Sequence, residues 1–189
     1  TMWNMAQTFD VYIRGAGIVG RTLALLLARE RLRVALMAPP PMENNANDVR
    51  AYALNNSSKQ LLESLRSWPD GVSATAVKHM EVHGDGDGSV HFDAGAQGVD
   101  ALAWIVDVPA LEHRLTEAVR YQPQIEMVDS PVDAPLTAVC EGRSSHTRAE
   151  LGVNFDVTPY GQHAIATRVR CELPHGQVAR QWFSSQGIL

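Results

Sequence analysis

The sequence predicts an α/β protein that opens on a strand, a tight turn, a helix and a second strand. Three observations carry that reading. Val11, Tyr12 and Ile13 form a short apolar run of strand formers, placed in a strand over about residues 9–14. Gly15, Gly17 and Gly20 follow in the spacing G-x-G-x-x-G. A helical apolar pattern then runs from Ile18 to about Arg31, and Leu32 to Met37 reads as a buried strand parallel to the first.

Each glycine has a physical task in such a turn. Gly15 permits the sharp bend, Gly17 lets backbone approach a diphosphate, and Gly20 lets helix and strand pack closely. The helix start offers free N–H groups and a partial positive charge to an anion. Dinucleotide binding is therefore the expectation for this Rossmann-like unit. One feature departs from the pattern. The end of the second strand, where an acidic residue usually holds the adenosine ribose, is Ala38 followed by three prolines. Either the ribose anchor is missing, or Glu43, Asn44 or Asn45 supplies it from the loop.

Composition narrows the function classes. The chain has 189 residues and a net charge of −5, with no basic cluster, so nucleic acid is not the expected partner. Cys140 and Cys171 sit in no metal or redox spacing and read as cytosolic thiols. The most apolar run, Ile18 to Ala28, contains Arg21 and is too short to span a bilayer. No G-x-S-x-G is present, which removes the serine-hydrolase class. An NAD(P)-dependent reductase ranks last, because Ala38 supplies no acid or base at the end of strand two.

The remaining elements follow in order. Arg14 ends the first strand, where it either reaches a phosphate or snorkels to water. Asn56 or Ser57 caps a helix with Leu61, Leu62 and Leu65 on one face, ending before Pro69. Residues 77–93 alternate as a hairpin with a Gly-Asp-Gly turn. The Asp85-x-Asp87-Gly88 run would place Ala96 where a calcium loop needs Glu, and His79, His83 and His91 lack spaced partners, so no metal is expected. A strand over Trp104–Val108 precedes a helix over Pro109–Arg120 with Leu111, Leu115 and Val119 inward. Short strands are predicted over Ile125–Val128 and, buried, over Leu136–Cys140. A β-rich portion opens at Val153, with a long strand over Tyr160–Cys171 and another over Gln181–Phe183.

Five stretches, taken together, resemble one family. They are FDVYIRGAGIVG, DVRAYALNNSS with Leu65 and Trp68, WIVDVPALEHRL, CEGRSSHTR, and YGQHAIATRVRCELPHGQVARQWF. In this order they resemble the flavin-dependent aromatic hydroxylases of the p-hydroxybenzoate hydroxylase fold, in particular the branch acting on the ring of ubiquinone precursors. The glycine turn is generic, but the combination is fairly specific.

The resemblance implies an FAD-binding domain over residues 7–152, with a hairpin inserted at about 77–93, and part of a β-rich substrate domain over 153–189. Gly15, Gly17 and Gly20 would take the FAD pyrophosphate, and Arg50 would sit near the phosphates or ribose. Asp107 would lie beside the cofactor. Glu141 and Gly142 would help cradle FAD, Glu141 standing where the family has Asp, one methylene shorter. No catalytic residue is assigned, and His175 is read as making a structural hydrogen bond. NAD(P)H would be the reductant and an aromatic or quinone-precursor molecule the substrate. The expected location is the cytoplasm, including the periphery of the inner membrane. The family's second Gly-Asp flavin motif is expected beyond Leu189, so a truncated form with little or no hydroxylase activity alone is expected, self-associating through exposed strands. The alternative is a non-catalytic short homologue that binds a nucleotide or serves as an assembly partner. Either way, the Glu141–Gly142 corner should lie beside the glycine turn.

Overall fold

The computed structural model describes residues 8–38 and 48–189. It divides into two compact units. The first combines residues 8–38, Leu65–Ser67 and Glu112–Ala164; the second combines residues 48–64, Trp68–Leu111 and Ile165–Leu189. Glu43, Asn44 and Asn45, the substitute ribose anchors, lie outside the described residues.

The first unit is built on a parallel sheet. Strand β1 is Val11–Arg14, helix α1 is Ile18–Arg29, and β2 is Val34–Met37. Strands β8 (Ile125–Val128) and β9 (Leu136–Val139) complete the sheet, in the order β8-β2-β1-β9. Register is regular: Val11 faces Val34 on one side and Leu136 on the other, and every pairing is parallel. Helix α1 packs against β1, β2 and β8. The apolar runs become a core because parallel strands are covered on both faces: Ile13, Val34, Ala35 and Leu36 are fully buried. Strand β9 departs from the buried reading, since Leu136 is 58% exposed. Its pairing explains this, for β9 is the edge strand of the sheet.

The second unit holds two sheets. In one, β3 (Ala51–Leu54) and β4 (Ala74–Val77) flank β7 (Ala103–Asp107), all antiparallel. Helix α2, Asn56–Ser64, packs against β7. Its cap falls one residue earlier than expected: the Asn55 side chain accepts the Ser58 amide at 2.8 Å. Trp68 and Trp104 meet edge to face at 5.9 Å, with the Lys59 ammonium over both rings. The other sheet contains the expected hairpin, β5 (His79–His83) with β6 (Ser89–Asp93). Strand β10, Val178–Ser184, runs parallel to β5, and β11 (Gly187–Ile188) pairs with β10. Helix α3, Val108–Arg120, starts in this unit and belongs to the first from Glu112 onward; it buries Leu111, Leu115 and Val119 at the predicted spacing.

The long strand expected over Tyr160–Cys171 does not form. Its side chains stand in water, Tyr160 at 86% and Ile165 at 93% exposure. Alternation makes a residue run eligible for a sheet; a hydrogen-bonding neighbour makes it a strand. Among the described residues this stretch pairs with no strand.

Candidate functional site

Parallel pairing of β1 and β9 sets Arg14 opposite Val139, so both strands deliver their next residues to one end of the sheet. There the chain turns twice: at Gly15–Gly17 after β1, and at Glu141–Gly142 after β9. The turn after β1 is tightly held. The Gly15 amide donates to the Met37 carbonyl at 3.0 Å, and the Cys140 amide donates to the Arg14 carbonyl at 2.7 Å. Gly15 has φ +109°, and a Cβ there would meet the Cys140 carbonyl oxygen at 2.5 Å. A Cβ at Gly20 would fall 1.8 Å from the Gly15 carbonyl oxygen, so helix and turn touch as closely as the sequence predicted.

Gly17 is different. Its backbone is extended, and a Cβ there would meet nothing within 4 Å. It is the N-cap of α1, yet no side chain caps the helix and no acidic residue occupies the first turn. The first amides of α1 therefore lack intrahelical acceptors beside an open approach. A diphosphate fits this arrangement: two glycines are filled by their own backbone, and the third leaves room in front of a helix start.

Glu141 lies beside this turn. Its carboxylate accepts the Ser145 hydroxyl at 2.7 Å, the Thr147 hydroxyl at 2.7 Å and the Thr147 amide at 3.2 Å. These bonds tie it to a 3₁₀ turn over Gly142–Ser144 and to α4, His146–Glu150, which Ser145 caps by accepting the Arg148 amide. Arg14 Nε lies 3.1 Å from Glu141 Oε1, an ion pair in which the N–H is not aligned for a hydrogen bond. Burial pushes the Glu141 carboxyl up. The bonds from Thr147 and Ser145, with the Arg14 charge, outweigh that and hold it below its ordinary value. A cavity of about 270 Å³ borders Glu141, Gly142, Ser145, Arg148 and Leu151.

Arg50 and Asp107 come together within the second unit. Ala51 pairs with Asp107 across β3 and β7, and the Val108 amide donates to the Arg50 carbonyl at 3.1 Å. The Arg50 guanidinium forks onto Asp48, with Nε 2.9 Å from Oδ1, and holds that carboxyl down at about 2. Arg168 bonds the Asp107 carboxylate and the Arg50 carbonyl.

The structure places the seven residues the sequence singled out in two groups: Gly15, Gly17, Gly20, Glu141 and Gly142 in one, Arg50 and Asp107 in the other. Sequence reasoning missed Thr147, whose role needs the α4 turn to be seen, and Arg168, which stands 61 residues from Asp107 with no local signal. Arg14 pairs with Glu141, a partner the sequence did not suggest. His175 makes the expected structural bond, its Nδ1 accepting the Gln177 amide at 3.0 Å. His79 pairs with Asp93 at 2.9 Å, and His83 stacks on Trp182. Among the described residues no three His, Cys, Asp or Glu side chains gather as a metal site, and no helix is long and apolar enough to cross a membrane.

A parallel sheet with an open glycine turn at its carboxyl edge, in a chain that also forms an antiparallel and a mixed sheet, matches the Rossmann-like fold of FAD-dependent monooxygenases. PqsL of Pseudomonas aeruginosa, described as a probable FAD-dependent monooxygenase, superimposes with a TM-score of 0.60 at 22% identity, over 82% of this chain and 48% of its own. Sequence relatives are more particular. The 3-demethoxyubiquinol 3-hydroxylase of Escherichia coli K12 is 25% identical over 96% of this chain and 53% of its own length. Ubiquinone hydroxylase UbiM of Neisseria meningitidis is 22% identical over 95% of this chain and 46% of its own. No family model matches the chain. The chain is similar in sequence to ubiquinone ring hydroxylases and spans about half the length of the curated relatives it matches.

Proposed function

We propose that this chain forms the FAD-diphosphate-binding part of a flavin-dependent ring hydroxylase. The observation that carries the reading is the contrast at the glycine turn: Gly15 and Gly20 are closed by backbone, while Gly17 faces open space at an uncapped helix start. In this reading the first α1 amides donate to phosphate oxygens, and Gly17 lets the main chain reach them. Glu141 and Gly142 fix the second turn beside the first. Within the second unit, the family resemblance makes Arg50 a candidate phosphate or ribose contact of FAD and Asp107 a candidate cofactor neighbour. FAD, when bound, supplies the oxygen activation that hydroxylation requires. By analogy with the relatives' names, the substrate is an aromatic or quinone-precursor ring, with NAD(P)H as reductant. The exposed strand edges of the second unit support self-association, which light scattering across a concentration series would register.

The test is a flavin-fluorescence titration of the purified chain and of Gly17→Val. The unaltered chain is expected to quench FAD fluorescence saturably. Gly17→Val, whose side chain would occupy the open approach, should lose at least about tenfold in affinity, by steric exclusion of a bound group, with an unchanged circular dichroism spectrum. Equal binding by both proteins would contradict the reading.

A further inference from the structure

We infer that Arg14 is a positioning residue for the diphosphate site, acting through Glu141 to hold the Glu141–Gly142 corner against the glycine turn. The inference rests on the dinucleotide reading given above. Arg14 ends β1, and Gly15 follows it directly. Glu141 stands two residues beyond β9. The main chain already joins these points through the Cys140 amide and the Arg14 carbonyl. The side chains join them again, with Nε 3.1 Å from Glu141 Oε1 and Nη1 3.6 Å from Glu150 Oε2.

The Arg14–Glu141 pair is mostly withdrawn from water, at 23% and 18% side-chain exposure. Removing one partner would leave the other charged and poorly solvated. Glu141 is anchored at its far side by Ser145 and Thr147, so one carboxylate links the end of β1 to the start of α4. The extra methylene of Glu relative to Asp gives the carboxylate reach toward Arg14 while it keeps the Thr147 bonds. A half-buried arginine at the end of an interior strand, one residue before the turn, is thereby matched by a longer acid two residues beyond β9.

The competing role for Arg14 is direct donation to a phosphate. The geometry argues against it, because the guanidinium is shared by two carboxylates and has little net positive charge left to offer. The two roles predict opposite signs for Glu141→Gln. Gln keeps the length and an acceptor oxygen for Thr147 but drops the charge. If Arg14 bound phosphate, freeing it would tighten FAD binding. If Arg14 positions the corner, binding weakens.

The experiment measures FAD affinity by fluorescence quenching for the full chain, Arg14→Met, Glu141→Gln, the double variant and Arg14→Lys. Each of the first two should weaken binding at least about threefold. The double variant should be no weaker than the worse single, a coupling of at least about threefold for contacting residues. Arg14→Lys, which keeps the charge, should recover most of the loss. Glu141→Gln binding as tightly as the unaltered chain, or losses that simply add, would overturn the inference. Amide hydrogen exchange without FAD provides an independent readout: Gly15–Gly20 and Gly142–Thr147 should exchange faster together in both single variants. Unchanged exchange in either segment would also overturn it. If the unaltered chain fails to bind FAD, the dinucleotide reading fails, while exchange still decides whether Arg14 positions the corner.

Discussion

The parallel sheet of the first unit and the β5-β6-β10 sheet of the second are built from similar lengths of chain by opposite means. In β1 and β2 most side chains are buried, and Val11–Ile13 and Val34–Met37 are apolar runs. In β5, β6 and β10 the residues alternate. One face carries polar pairs, Arg180 with Glu81 at 2.8 Å and His79 with Asp93. The other carries Val90, Phe92 and Phe183, all exposed. The first sheet packs its turn so closely that neither Gly15 nor Gly20 has room for a Cβ. The second presents apolar surface without enclosing it. A cofactor site that depends on close backbone approach belongs to the first kind of sheet.

Core truncation should separate the two most strongly. Ile13→Ala removes a fully buried side chain and should cost about 2–5 kcal/mol in urea unfolding, by lost transfer energy and a residual cavity. Phe92→Ala, from the exposed face, should cost about 1 kcal/mol or less. Similar losses at both positions would erase the contrast.

The glycine turn sharpens it at a finer scale. Gly20→Ala drives a methyl into the Gly15 carbonyl and should destabilise by about 1–3 kcal/mol, as overpacking does. Gly17→Val should move the unfolding midpoint little, since its backbone is extended and its surroundings are empty. If Gly17→Val were the more destabilising of the two, the open approach would not exist.

The smallest effect concerns acid. Glu141 has a folded-state pKa below its ordinary 4.5, so its ionised form favours the folded chain. That contribution is whole above about pH 4.5 and is lost as pH falls through the lowered folded value. Stability measured across this acid range should therefore fall less steeply for Glu141→Gln than for the unaltered chain. Parallel curves would show that the hydrogen bonds from Thr147 and Ser145 do not favour the charged carboxyl.

Legibility in the sequence followed the same divide. Val11–Ile13, the three glycines and Val34–Leu36 could be read because burial on both faces and a backbone-limited turn leave few residue choices. The helix over Leu111, Leu115 and Val119 was equally plain, since its period is local. Strand β3 was not read, because AYAL ahead of a helix cap carries no alternation and its pairing with β7 joins residues about fifty positions apart. The Tyr160–Cys171 run failed in the other direction, since its alternation promised a strand that no neighbour completes. Of the site, the glycines came from motif spacing and the Glu141–Gly142 corner from the family resemblance. The Arg14–Glu141 pair did not, because nothing in sequence joins two residues that meet only through parallel pairing of β1 and β9.

The central claim is that the turn between β1 and α1 receives a dinucleotide diphosphate. Backbone amide NMR during titration with ADP, the diphosphate half of FAD, tests it most directly. Saturable shifts concentrated on the amides from Gly15 to Arg21 are the expected result. Saturation with those amides unmoved, and shifts gathered elsewhere, would contradict the claim.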